Sequence, residues 1–320
     1  MVNQTSKCRN TFGYNKFMKS NNSKEIKVLS EFEHVLKRPT IWVGSVDKTE
    51  EKIPIIQDNK IIQKTFSISV GFYKLLSEIV DNAWDEAKRC NGEMKTISVS
   101  LYSSNNRVIV EDTGNGFYKG YEKNEVSGLP NIETAMSQLR SGSNFYNEDV
   151  KENLIGTNGV GASIVNMLSS TFEVSSSDGV KKYTQVWDNF VSKSKKITKS
   201  KTKGTKIDFI PRTDMFKDCV WDKEIIHSYF TFRNYIKNLD PKLRKTKMVV
   251  KFDGEVLNLN NTFLPENTIS IKSNRYGEIH IWPSYQGSVK CSFINGTRCS
   301  GIHQKVVQDH LNELIKYDRG

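Results

Sequence analysis

The sequence predicts an α+β fold, a two-layer α/β sandwich in which helices pack on a mostly antiparallel sheet. Helical periodicity recurs in separate segments, the strongest running from Ser69 to Arg89. Period-two alternation comes in paired runs, as in TISVSLYSS followed by RVIVED, with a turn at Ser104–Asn106 between them, the signature of a β-hairpin. Helices interleave with such hairpins and not with single strands, which argues against a doubly wound parallel sheet.

Taken in order, residues 1–26 are polar, rich in Asn, Ser and Lys and without periodicity, and read as a mobile arm. Order is expected from near Ile26, where KVLSEFEHVLKRP reads as a short helix stopped by Pro39. IWVGS follows, then a charged loop from Asp47 to Lys52, then the Ser69–Arg89 helix and the hairpin. A Gly/Ser/Asn-rich stretch from Gly114 to Gly161 holds a helical piece around Ile132–Leu139 and opens into a second good helix, GASIVNMLSS. Strands TFEVSSS, KYTQVWD and TKIDFIP come next, with a lysine-rich turn between the last two. The remainder reads as a helix (Glu224–Asn238), a strand (MVVKF), strands EIHIWPS and SVKCSFI, and a final helix, His303–Tyr317. No fixed-period repeat is visible.

A chain of 320 residues suits two domains. With 37% apolar and 26% charged residues, Gly 20 and Pro 7, it falls outside the collagen-like, disordered and disulfide-scaffold classes. No apolar run approaches the roughly 20 residues of a membrane span, and the N-terminus lacks a signal-peptide core, so no membrane partner is expected. Five cysteines without a CxxC pair point to a reducing, intracellular compartment, cytoplasmic or nuclear, and away from zinc or a disulfide frame. His34, His227, His280, His303 and His310 show no ligand spacing. The balance of 47 basic and 36 acidic residues gives +11. That surplus favours polyanions, nucleic acid first, although lysine-rich composition alone produces the same number.

In the Ser69–Arg89 helix, Phe72, Leu76, Ile79, Val80, Ala83 and Ala87 share one face, while Glu78, Asp81, Asn82 and Asp85 crowd the other at i, i+3, i+4 and i+7. A solvated face would give this pattern, but such a face normally pairs Glu with Lys. An amide beside carboxylates suits a hard divalent cation, and a remaining carboxylate can take a proton from an attacking water. In VEDTGNGF, Asp112 ends a strand while Gly114 and Gly116 permit close backbone approach. A carboxylate acceptor there can select adenine by its exocyclic amine, or the motif is simply a turn. IGTNGVGAS (155–163) places three glycines before a helix, either as a phosphate cradle or as a hinge. Its spacing fits neither a P-loop nor a Rossmann turn.

In combination and order, ExxDNxxDE, DxGxG, GxxGxG and a later GT-strand resemble the GHKL (Bergerat) ATPase family. Within it, EHVLKRPTIWVGS, SEIVDNAWDEA, LRSGSNF, LIGTNGVGASIVNMLS and GTKIDFIP are similar to the N-terminal region of type IIA topoisomerases, over roughly Lys27 to Ile302. The asparagine of TNGVG and the pair Ser143–Asn144 give it a viral or eukaryotic-like character. The resemblance implies a Bergerat sandwich over 27–262, and SFINGTRCSGIH resembles the opening of a transducer domain, placed at 263–320. It implies ATP and Mg2+ as cofactors, with Glu78 as general base and Asn82 on the magnesium. Asp112 would accept from adenine with help from Thr205, beside Gly114 and Gly116. Gly156, Asn158, Gly159, Val160 and Gly161 would donate to the triphosphate, and Ser143 and Asn144 would reach ribose or α-phosphate. Asp81 and Asp85 would orient water or the loop from behind.

The family's transducer carries a Gln-Thr-Lys loop whose lysine reaches the γ-phosphate. No such triplet occurs in these 320 residues, nor do TOPRIM and DNA-cleaving portions. The expectation is a fragment or a naturally split subunit that hydrolyses ATP weakly alone. Seven lysines between Lys193 and Lys206, among them Lys195, Lys196, Lys199, Lys201 and Lys203, form either a solvated loop or a sequence-neutral contact with double-stranded DNA. The function so implied is the ATP-operated gate of a type IIA topoisomerase, a homodimer that captures and passes a DNA duplex. The alternatives are a chaperone- or mismatch-repair-like GHKL ATPase, or a module that senses ATP without turning it over.

Overall fold

The computed structural model describes residues 28–117, 119–141, 154–156, 159–260, 262–273, 277–282, 289–294, 297–299 and 301–317. Two short helices open it, α1 (Glu31–Lys37) and α2 (Thr40–Val43). Ser30 and Glu33 form a reciprocal capping box on α1. A hairpin follows, β1 (Thr49–Gln57) and β2 (Lys60–Ile68), then the long helix α3 (Val70–Arg89).

The eight-stranded sheet takes β3 (Thr96–Leu101), β4 (Val108–Asp112), β5 (Ser169–Asp178), β6 (Lys181–Asp188), β7 (Val191–Lys199), β8 (Lys203–Pro211), β9 (Lys247–Phe252) and β10 (Glu255–Val256). Their spatial order is β10-β9-β3-β4-β8-β5-β6-β7. The β3–β9 pair is parallel and the other pairs in this sheet are antiparallel. Between β4 and β5 lie α4 (Asn131–Ser137) and α5 (Gly161–Met167), and α6 (Lys223–Leu239) precedes β9. The chain continues through hairpins β11 (Ile269–Ser273) with β12 (Gly277–Ile281) and β13 (Ser292–Ile294) with β14 (Thr297–Cys299), to α7 (Ile302–Tyr317).

Alternation decides the layering. Ile97, Val99 and Leu101 of β3, Val108 and Val110 of β4, and Phe172 and Val174 of β5 are buried, whereas their sequence neighbours are mostly less so. One face of the sheet is therefore apolar, and α3 and α5 pack on it with α4 against α5. Helix α3 starts where Ser69 caps the Phe72 N–H and ends on Lys88 and Arg89, which suit the negative end of its dipole. It buries Phe72, Leu75, Leu76, Ile79, Val80 and Trp84, each worth about 1.5–3 kcal/mol when fully withdrawn from water. Phe72 stacks on Trp221 at 3.9 Å, tying α3 to the segment before α6. This fixes α3 as the floor of the site. A smaller cluster of Ile56, Phe232 and Phe263 joins β1, α6 and the start of the C-terminal segment.

Three sequence expectations change. The charged loop at Asp47–Lys52 is largely the start of β1, whose partner β2 follows a tight turn at Asp58 and Asn59, both at positive φ. Pro54 concealed this strand, although an edge hairpin tolerates proline. The lysine-rich turn is in large part a strand: Lys193, Lys195, Lys196 and Lys199 lie along β7, the open edge of the sheet. SVKCSFI yields only the three-residue β13, and β11 was not foreseen.

Candidate functional site

The site sits where α3 passes beneath the loop entering α5. Its first residue is Glu78. One carboxylate oxygen meets Lys74 Nζ at 2.6 Å, an i, i+4 pair on α3. The other lies against Gly161, where an added Cβ would fall 2.1 Å from Oε2, so a larger residue there would push the carboxylate aside. One turn on, Asn82 is exposed, with its Oδ1 facing Gly156. Val160 starts α5 with no side-chain cap among the described residues.

Asp85 is buried and takes the Ile155 N–H at 2.9 Å and the Gly156 N–H at 2.7 Å. Burial pushes its pKa up while these two donors pull it down. The Gly156 N–H, expected to face a triphosphate, is engaged by Asp85. Asp85 acts as an anchor for the loop. Asp81 leaves the polar stripe and pairs with Arg233 Nη1 of α6 at 2.6 Å, both side chains being buried. Arg233 also meets the Tyr229 hydroxyl at 2.6 Å and covers the Trp84 ring. At 100° per residue Asp81 falls on the flank of the stripe, and an arginine within the aromatic run SYFTFRNY was the signal for its partner.

About the second motif, Asp112 ends β4 opposite Thr205 of β8. Its Oδ1 accepts the Gly114 N–H at 2.8 Å and the Thr205 N–H at 3.3 Å. Burial raises its pKa to about 7, against the pull of those donors. Gly116 has φ of +74°, and a Cβ there would lie 2.1 Å from the Ser177 carbonyl oxygen. Ser176, absent from the sequence reading, joins the group by accepting the Phe117 N–H at 2.8 Å and lying 3.0 Å from Thr205 Oγ1. Glu86 accepts the Asn115 N–H at 2.9 Å. Only strand register brings Ser176 to Thr205, so no local motif announces it.

Gly159 accepts the Ser141 N–H at 3.0 Å. Ser143, Asn144 and Asn158 lie outside the described residues. Of the lysines, Lys195 pairs at 2.6 Å with the buried Glu133, and Lys203 reaches Asn115 at 3.4 Å. Neither is a bare cation waiting for phosphate. Lys196, Lys199 and Lys201 are exposed and without ion pairs among the described residues. No helix among those residues is long and apolar enough to cross a membrane.

A carboxylate and an amide on one helix, a glycine loop pinned above them and a buried acid at a strand end are the parts of a nucleotide site. Residues 68–214 match the family described as Histidine kinase-, DNA gyrase B-, and HSP90-like ATPase. The chain carries a GHKL ATPase domain. This domain is homologous to the ATPase region of type II topoisomerases. The chain is 28% identical over 302 residues to DNA topoisomerase 2 of Drosophila melanogaster, covering 88% of this chain and 20% of that protein. It is 35% identical over 210 residues to DNA topoisomerase 2 of Candida albicans, covering 63% and 14%. It thus spans a fifth or less of these relatives. The crystal structure of the ATPase region of Saccharomyces cerevisiae topoisomerase II bound to dexrazoxane superposes with a TM-score of 0.75 at 26% identity, over 91% of this chain and 80% of that one. The ATPase and transducer domains of topoisomerase II from Balamuthia mandrillaris share the fold, with a TM-score of 0.73 at 22% identity, over 87% and 74%.

Proposed function

We propose that this GHKL domain is the ATP-operated gate of a type IIA DNA topoisomerase, and that its residues 263–320 begin the transducer. The observation that carries the reading is the placement of Glu78 and Asn82, one helical turn apart, directly beneath the loop that Asp85 pins. In this reading adenine lies at Asp112, where a carboxylate beside Thr205 accepts from the exocyclic amine. The triphosphate runs along α3 towards Val160 and Gly161. Asn82 offers an exposed neutral amide oxygen near Gly156, a hard donor that fits Mg2+. The metal would supply charge neutralisation of the phosphates.

Glu78 holds the position of a general base. Lys74 orients one oxygen, and the carboxylate would take the proton of a water attacking the terminal phosphate. ATP binding would draw two copies together around a DNA duplex, and hydrolysis would release them. The DNA, the second copy and the remaining topoisomerase portions, in the same or a separate subunit, are the partners of this reading. Free cysteines at 90, 219 and 299 suit an intracellular setting, and the eukaryotic relatives suit a viral or eukaryotic source.

Light scattering with Mg2+ and a non-hydrolysable ATP analogue tests the gate. Doubling of the mass on adding the analogue, absent with GTP analogues, supports it. A chain that binds the analogue and stays monomeric at high concentration is a nucleotide sensor instead.

A further inference from the structure

Next to Glu78 is a cavity of about 420 Å³ lined in part by Trp42, Val43, Val160 and Ile164. Two charged side chains line it, Glu78 and Arg140. They differ in commitment. Glu78 is already paired with Lys74 at 2.6 Å, whereas Arg140 is exposed and has no ion pair among the described residues. The cavity therefore combines a neutralised acid with an unneutralised guanidinium.

The backbone holds Arg140 in this place. Its φ is +59°, the left-handed region that a non-glycine residue enters at a cost of about 1–2 kcal/mol. Its neighbours fix it from both sides. The Leu139 N–H donates to the Glu31 carboxylate at 3.2 Å, and the Ser141 N–H donates to the Gly159 carbonyl at 3.0 Å. Ser141 Oγ is held as well, by the Gln138 carbonyl at 2.6 Å. Hydrogen bonds on each side thus keep Arg140 in an unfavourable conformation. The bond to Gly159 also links Arg140 to the loop whose next residues, Val160 and Gly161, border Glu78.

We propose that Arg140 recognises the terminal phosphate of the bound nucleotide and makes the site select triphosphate over diphosphate. This rests on the reading of Glu78 as the base at the terminal-phosphate end. The planar fork of arginine suits two phosphate oxygens at once. A diphosphate would leave the guanidinium without its partner, so the discrimination resides in one side chain.

Calorimetric titration of the full chain with Mg2+ and either a non-hydrolysable ATP analogue or ADP tests this, in wild type, Arg140→Gln and Arg140→Lys. The expected result is a loss of about 10- to 100-fold in analogue affinity for Arg140→Gln. ADP affinity should stay within about twofold, and Arg140→Lys should recover part of the loss. Unchanged analogue affinity in Arg140→Gln, with wild type binding both nucleotides, overturns the proposal alone. Equal loss of both nucleotides also overturns it, in favour of a purely structural role. Wild type binding neither nucleotide overturns the underlying reading of the site, and the proposal with it.

Discussion

The Asp85 carboxylate accepts the Gly156 N–H at 2.7 Å, joining the floor helix of the site to the loop above it. A second bond, from Ile155, makes the attachment two-pronged. Hydrogen bonds to a charged acceptor contribute about 1.5–3 kcal/mol each, so this carboxylate sets how well the loop is organised before any ligand arrives. Asp85→Ala should lower ATP-analogue affinity by about 10-fold or more, because binding must then order the loop as well. Hydrogen exchange at Ile155 and Gly156 should rise in parallel. Unaltered exchange would mean that the loop is held by something else.

Asp112 gives the site a pH dependence whose sign follows from its burial. Its pKa of about 7 in the folded chain exceeds the ordinary carboxylate value of about 3.9, so the folded form binds the proton more tightly than the unfolded chain. This group's contribution to stability is therefore full below pH 4 and falls as pH rises towards 7. An adenine amine needs the ionised acceptor, so nucleotide binding near pH 7 should expel part of a proton and strengthen between pH 6 and 8. Calorimetry in buffers of different ionisation enthalpy measures that release. It should shrink in Asp112→Asn. Identical proton release in both proteins would remove Asp112 from adenine recognition.

Much of this site was legible in sequence because its two main motifs are local. Glu78 and Asn82 share a helix face, and Asp112 with Gly114 and Gly116 lie within five residues, so periodicity and spacing alone bring each set together. Asp81 misled for the same reason: a helical wheel shows which residues share a face but not that another helix covers its flank. Lys74 was within reach, four residues before Glu78 on the same helix. Ser176 was not, because only the pairing of β5 with β8 brings it to Thr205. The hairpin at Thr49–Ile68 was hidden by its charges and by Pro54, features that an exposed edge pair tolerates.

The Asp81–Arg233 pair is a separate matter of stability. Removing one partner from a buried ion pair strands the other, at a cost of about 3–5 kcal/mol, and Asp81→Ala should show that loss in urea unfolding. The double variant Asp81→Leu, Arg233→Met should recover most of it and keep analogue affinity within about threefold. A double variant that is stable yet no longer binds nucleotide would return Asp81 to the site.

The lysines of β7 and the turn after it have two competing accounts, DNA contact and protection of an open sheet edge. Replacing Lys196, Lys199 and Lys201 by serine should flatten the salt dependence of DNA binding by roughly 2 to 3 in the log–log slope if they lie on phosphates. An unchanged slope, with increased aggregation, would assign them to edge protection.

The most direct test of the whole account is a crystal structure of this chain with Mg2+ and a non-hydrolysable ATP analogue. The adenine amine should lie on Asp112, the metal on the Asn82 oxygen and the terminal phosphate in the cavity beside Glu78. Nucleotide density in any other crevice, or adenine turned away from Asp112, would contradict it.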